Sequence, residues 1–324
     1  MGDESTLDPW VEEWMKANPE RAKPLEDLSP EILELARGPW AFPPTCPISD
    51  VWDSEVDGIP VRIYRPDGKL TGVIPYFHGG GFVMGSVAIM DNVARELAHC
   101  ASAVVVSVGY RLAPENPYPA ALDDCETVTR WALSQRAELG VPGAPLAVAG
   151  ESAGGNLAAA VCLRLRDKGA GFLAGQVLIY PGVSGTKTFP SMREFDGLVI
   201  SLTARELYRY AYSGGRDLDG DPYAVPLAAT DLRSLPPALV VLGGCDMLRD
   251  EGRAYAKRMR DDGVLVEEAC YGGQPHGFVN FGFPAAEQAF QRIGSWLRAT
   301  FAQDQSVERS PEGSKPGDLT DRNS

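Results

Sequence analysis

Ser152 lies in GESAGGN, residues 150–156, directly after the apolar run APLAVAG. That places a hydroxyl at the junction of a predicted strand and a predicted helix, where serine is also a favoured helix cap. An unactivated hydroxyl is a poor nucleophile at neutral pH. Acyl transfer at Ser152 therefore needs a base within hydrogen-bond reach and an acid that holds this base in the right tautomer. The chain contains 3 histidines. His99 falls inside the predicted helix NVARELAHC and reads as a helix-end residue, His78 opens HGGGF, and His276 lies in GGQPHGF after the last predicted strand. Strand-end loops are where sites gather in α/β sheets, so His276 is the candidate base.

The acid has to be selected by position, because the chain carries 44 Asp plus Glu. Asp246 ends the buried-looking run PALVVLGGCD (237–246), so its carboxylate should emerge at the same sheet edge as Ser152. It also reads as a helix cap. Asp250 and Glu251, in MLRDEG, are adequately explained as favouring the positive end of the helix that follows. The chain order Ser152, Asp246, His276 is the order of an α/β-hydrolase triad. Charge that develops on a substrate carbonyl oxygen also needs backbone N–H donors. HGGGF (78–82) follows a strand, and its glycines let the backbone approach an acyl group closely. Gly80 and Gly81 are the candidate oxyanion donors, with Ala153 as a third. His78 and Gly79 support the loop.

The elements that must position these groups alternate. Apolar, β-rich runs occur at 72–77, 103–110, 145–150, 175–182, 237–246 and 264–271, and helical stretches separate them at 90–100, 120–137, 153–168 and 249–262, with a last helix at 285–301. Such a pattern predicts an α/β fold with a mostly parallel central sheet covered on both faces. SEVDGIPVRIYRP (54–66) predicts a hairpin turning at DGIP. Two regions stand outside the alternation. One is 1–45, with Trp10, Val11 and Trp14 on one helical face and a second helix capped by Ser29 with Pro30 in its first turn. The other is 184–224, where Thr203 and Glu206 suggest a capping box. Both read either as cap segments over the sheet, flanking a catalytic core at 46–183 and 225–303, or as ordinary packing helices. Residues 304–324 are polar and expected to be disordered.

The formal net charge of −14 disfavours nucleic acid and anionic membrane surfaces. A small neutral or cationic partner fits better. The acidic N-terminus lacks the pattern of a secretory signal, no long apolar run appears, and a cytoplasmic location is expected. The superficial acylation signal in MGDEST is discounted for its acidic flank. The 6 cysteines contain no C-x-x-C pair, and the histidines lack ligand spacing, so neither a metal nor another cofactor is expected.

HGGGF, GESAGG, YRLAPENPYPAALDD (110–124), CDMLRDEG (245–252) and HGF (276–278) together resemble the bacterial hormone-sensitive-lipase-like, or family IV, esterases. The resemblance spans roughly residues 72–300 and implies an α/β-hydrolase core with a helical cap. It implies a serine carboxylesterase preferring short acyl chains, with Ser152, Asp246 and His276 catalytic and Gly80, Gly81 and Ala153 forming the hole. It also implies that a homodimer is among the expected partners. Two positions depart from the family. Glu151 stands where Asp or Thr is commoner, which makes it a candidate supporting residue, and Met247 replaces a common proline. Phe82, Phe195 and Tyr208, with Trp14 and Trp40, are candidate pocket walls, although core packing is the more common role of such aromatics. An amidase or deacetylase using the same triad stays open. A non-catalytic binding protein would be expected to lack His276, and HGGGF lacks the further residues of a nucleotide-binding loop.

Overall fold

The computed structural model describes residues 4–19, 23–25, 27–38, 43–170 and 173–308. Its centre is an eight-stranded sheet of order β1-β2-β4-β3-β5-β6-β7-β8. The antiparallel part is the predicted hairpin, β1 (Asp50–Val56) and β2 (Ile59–Arg65), of which β1 forms the sheet edge and β2 pairs antiparallel with β4. Its two turn residues, Asp57 and Gly58, take φ of 49° and 82°, the left-handed conformation that a tight hairpin requires. The remaining strands, β3 (Val73–Phe77), β4 (Val104–Val108), β5 (Leu146–Glu151), β6 (Leu173–Ile179), β7 (Ala238–Cys245) and β8 (Val266–Pro275), pair in parallel.

Every residue of β3, β4, β5 and β7 is buried, as expected of strands covered on both faces. The two-residue period of a strand divides them between two cores. Val104, Val106 and Val108 face one and Val105 the other; in β7 Val240 and Leu242 are opposed to Leu239 and Val241. The first core is closed by α4 (Ala120–Ser134), α5 (Ala153–Asp167) and α8 (Arg249–Asp261). The second is closed by α3 (Asp91–Ala101) and α9 (Pro284–Glu308). α9 runs past the predicted end at 301 and makes 304–308 helical, contrary to the expected disorder there, while 309–324 lie outside the described residues.

The two non-alternating regions settle in different places. α1 (Pro9–Ala17) packs at the β8 edge, where the Trp14 ring lies 4.7 Å from Phe281. α2 (Pro30–Arg37) has Pro30 in its first turn as predicted, but Ser29 makes no side-chain cap. Arg37 at its end donates to the carbonyls of Val83 and Ala113, fastening α2 beside the glycine loop. Between β6 and β7 the chain forms α6 (Pro190–Glu194) and α7 (Leu202–Ser213). α7 begins earlier than a Thr203–Glu206 capping box requires: Ser201 is the cap, and its hydroxyl accepts from the Ala204 N–H at 3.1 Å. Among the described residues no helix is long and apolar enough to cross a membrane.

Candidate active site

β5 ends at Glu151 and α5 begins at Ala153, so Ser152 occupies the whole turn between strand and helix. Its φ of 54° is a conformation that costs a non-glycine residue roughly 1–2 kcal/mol. The neighbouring sheet holds it there, because the Ser152 N–H donates to the Ile179 carbonyl at 2.8 Å. The turn is tight enough that a Cβ on Gly154 would lie 1.9 Å from the Phe77 carbonyl oxygen, so only glycine fits. Ser152 makes no side-chain cap. Its Oγ instead lies 2.9 Å from His276 Nε2.

His276 follows β8, and its Nδ1 lies 2.9 Å from Asp246 Oδ2. Asp246, just past β7, is wholly buried, and its other oxygen accepts from the Leu248 N–H at 2.8 Å. One Asp246 oxygen therefore faces His276 and the other takes a backbone N–H two residues on; the cap position of α8 is Leu248, so the helix-cap reading of Asp246 does not hold. With Nδ1 protonated toward Asp246, Nε2 is left to accept the Ser152 hydroxyl proton. Burial alone would depress the His276 pKa, but the adjacent Asp246 carboxylate, reinforced by Glu151 and Glu251, outweighs it and holds the pKa above the ordinary 6.5.

The glycine loop reaches the same pocket as Ser152 through Gly81 and Phe82. Gly80 has φ of 117°, and a Cβ there would meet the Met84 carbonyl oxygen at 2.2 Å. No described residue accepts from the backbone N–H of Gly80, Gly81 or Ala153, whereas the Gly79 N–H is bound by Glu151 Oε1 at 3.1 Å. His78 stacks on Tyr110 at 4.2 Å, and its Nδ1 donates to the Gly79 carbonyl at 2.7 Å. Burial, only partly offset by that carbonyl, lowers its pKa to about 4. His78 is therefore a neutral brace at neutral pH. His99 is exposed at the far end of α3.

Glu151 is almost completely buried, and its carboxylate accepts from four donors. Oε1 takes Gly79 N at 3.1 Å and the Tyr76 hydroxyl at 3.3 Å; Oε2 takes the Tyr180 hydroxyl at 2.7 Å and Asn280 Nδ2 at 2.8 Å. The Tyr180 ring in turn stands edge-on to His276 at 4.8 Å. One carboxylate thus joins the glycine loop, β3, the end of β6 and the loop carrying His276. Sequence reasoning missed Tyr76, Tyr180 and Asn280, none of which belongs to a recognisable motif; only the spacing of Asn280, four residues after His276, offered a hint.

Beside Ser152 opens a pocket of ≈ 690 Å³ that includes its open mouth. Gly81, Phe82 and Ala153 line it from the core, and Ile200, Arg205, Tyr208 and Tyr212 line it from α7 and the segment before it. Phe82 stacks on Tyr212 at 3.7 Å. Phe195 is a correction. It lies outside this lining, packed with Met192, Cys245, Met247 and Leu248 under the Arg249 guanidinium, because α6 turns its apolar face onto the β7–α8 corner. Met247 fills the same cluster. Trp14 is likewise elsewhere, and Trp40 falls outside the described residues. Glu251 also differs from its sequence reading. Wholly buried, it lines the pocket and accepts from the Val183 N–H at 2.6 Å and the Ser184 hydroxyl at 2.5 Å, so it is far more than a charge at a helix start. Burial raises its pKa even against the opposing pull of Arg205.

Residues 74–280 match the family described as alpha/beta hydrolase fold. The chain is 39% identical over 261 residues to esterase LipI of Mycobacterium tuberculosis, a match covering 77% of this chain and 82% of that protein. It is 36% identical over 249 residues to an ethyl acetate hydrolase of Pseudomonas putida, covering 74% of this chain and 77% of the relative. Among solved structures, a hyperthermophilic esterase from the archaeon Pyrobaculum calidifontis is similar with a TM-score of 0.82 at 36% identity, over 91% of this chain and 98% of that one.

Proposed function

Because the chain belongs to the α/β-hydrolase fold family, we propose that it is a carboxylesterase that hydrolyses short-chain acyl esters, with Ser152 as nucleophile, His276 as base and Asp246 as its orienting acid. The observation that carries this reading is the unbroken relay Ser152 Oγ to His276 Nε2 to Asp246 Oδ2, with both steps at 2.9 Å, beside a pocket that contains Ser152. The name of the Pseudomonas putida relative, an ethyl acetate hydrolase, supports a small acyl group.

In this mechanism the Ser152 oxygen attacks the ester carbonyl carbon as its proton passes to His276 Nε2. The carbonyl oxygen takes the negative charge, and the N–H groups of Gly80, Gly81 and Ala153 stabilise it. His276 then gives the proton to the departing alcohol, leaving an acyl-Ser152 ester. Water attacks that ester while His276 accepts a proton; collapse returns the proton to Ser152 Oγ and frees the acid. Asp246 stays ionised throughout and stabilises the imidazolium that forms twice per turnover. Glu151, His78 and Gly79 hold the loops in register. α2, α7 and the 184–224 segment act as a cap, with Phe82 and Tyr208 as walls of the substrate pocket. The partner is a small neutral or cationic ester rather than nucleic acid or membrane, given the formal net charge of −14.

Hydrolysis of p-nitrophenyl esters from acetate to palmitate, with Ser152→Ala in parallel, tests the reading. Turnover that peaks at short chains and vanishes in Ser152→Ala supports it. Turnover retained by the variant, or cleavage of matched amides but not esters, overturns it.

A further inference from the structure

Much of the pocket beside Ser152 is apolar, with Phe82, Ile200, Leu218, Val225 and Leu248 in its wall, yet an ion pair is built into the same wall. Arg205, from α7, and Glu251, from α8, are 8% and 0% exposed. Their charged ends lie 3.6 Å apart. Arg205 Nη2 also donates to the Ser184 hydroxyl at 3.0 Å and the Gly185 carbonyl at 2.5 Å, while the Ser184 hydroxyl donates to Glu251 at 2.5 Å. Every partner is supplied by the protein itself, so the cluster is complete without a ligand.

We infer that the Arg205–Glu251 pair is a specificity-determining barrier that limits the length of the substrate chain the pocket admits. This rests on the esterase reading. A growing alkyl chain that meets apolar wall gains roughly fourfold in binding for each buried methylene. One that meets Arg205 and Glu251 must either stop or press between two buried charges, which leaves each with a lost partner and no water to replace it. Because the cluster bridges α7, the 183–185 segment and α8, it cannot swing aside like an exposed side chain. The preference for short chains then follows from one buried pair rather than from the overall size of the pocket.

The test compares kcat/KM for two series, p-nitrophenyl acyl esters and alkyl acetates, each from two to ten carbons, so that either side of the ester can occupy the pocket. The variant is Arg205→Met combined with Glu251→Gln, which leaves no unpaired buried charge, and Arg205→Lys accompanies it. In one of the two series the eight-carbon to four-carbon ratio should rise about tenfold or more in the double variant and stay near wild type in Arg205→Lys. Ratios within about twofold of wild type in both series, from a double variant with native circular dichroism, would overturn the barrier. If the double variant does not fold, Arg205→Gln combined with Glu251→Gln is read in the same way. A wild type that hydrolyses neither series overturns the esterase reading itself, whereas an active wild type with unmoved ratios overturns only this inference.

Discussion

Asn280 donates its side-chain amide to Glu151 at 2.8 Å, linking the residue before Ser152, the proposed nucleophile, to the loop that carries His276. The same carboxylate binds the Gly79 N–H, so the proposed oxyanion loop and base loop share one buried anchor. Glu151→Ala would leave four donors without an acceptor. It is expected to destabilise the protein by about 3 kcal/mol or more in chemical denaturation. Glu151→Asp, which keeps the charge, should retain most activity, and a total loss would place Glu151 in the chemistry itself.

The relay itself predicts the largest effects. Ser152→Ala and His276→Ala should each lower kcat by about 10⁴-fold or more while leaving the circular dichroism spectrum unchanged. Asp246→Asn, which favours the wrong tautomer of His276, should cost roughly 10⁴-fold. A folded Ser152→Ala protein that kept a tenth of its activity would remove Ser152 from the mechanism.

The pH profile follows from the raised pKa of His276. Only neutral imidazole accepts the Ser152 proton, so kcat/KM should climb with pH through an inflection above 6.5 and then level. Glu151 adds to that upward shift, and Glu151→Gln should therefore move the inflection to lower pH. His78, near 4, should contribute no inflection in the neutral range. An acidic limb centred below 6 in the wild type would contradict the charge arrangement around His276.

The two loop glycines should respond differently to alanine. At Gly80 the new Cβ meets the backbone oxygen of Met84 at 2.2 Å, so the loop must move and both stability and kcat should fall. At Gly81 it meets the Tyr208 ring at 2.4 Å, a side chain at the pocket wall, so a rise in KM should accompany the fall in kcat. Thermal melts and steady-state kinetics of the two variants separate these outcomes.

The alternation of apolar runs and helices was enough to predict the sheet, because parallel strands buried on both faces must be almost wholly apolar, and β3, β4, β5 and β7 are. Ser152, Asp246 and His276 were legible for a related reason: each follows a strand, and parallel strands deliver their ends to one edge. Helix starts were less legible, as Ser201 in place of Thr203 shows, since both serine and threonine can cap and two such residues stand close together there.

Chain order and residue type alone determined the sheet, the edge at which chemistry gathers and the identity of the three residues brought together there. Tertiary structure decided everything that depends on which side chains meet across long sequence separations. Glu151 binds donors 72 and 129 positions away, and the contact of Arg205 with Glu251 joins side chains from two separate helices. Phe195 went to the core and Phe82 to the pocket although both are phenylalanines in cap-facing stretches. Local pattern reports only whether a side chain tends to be buried; the packing of whole elements decides what it is buried against.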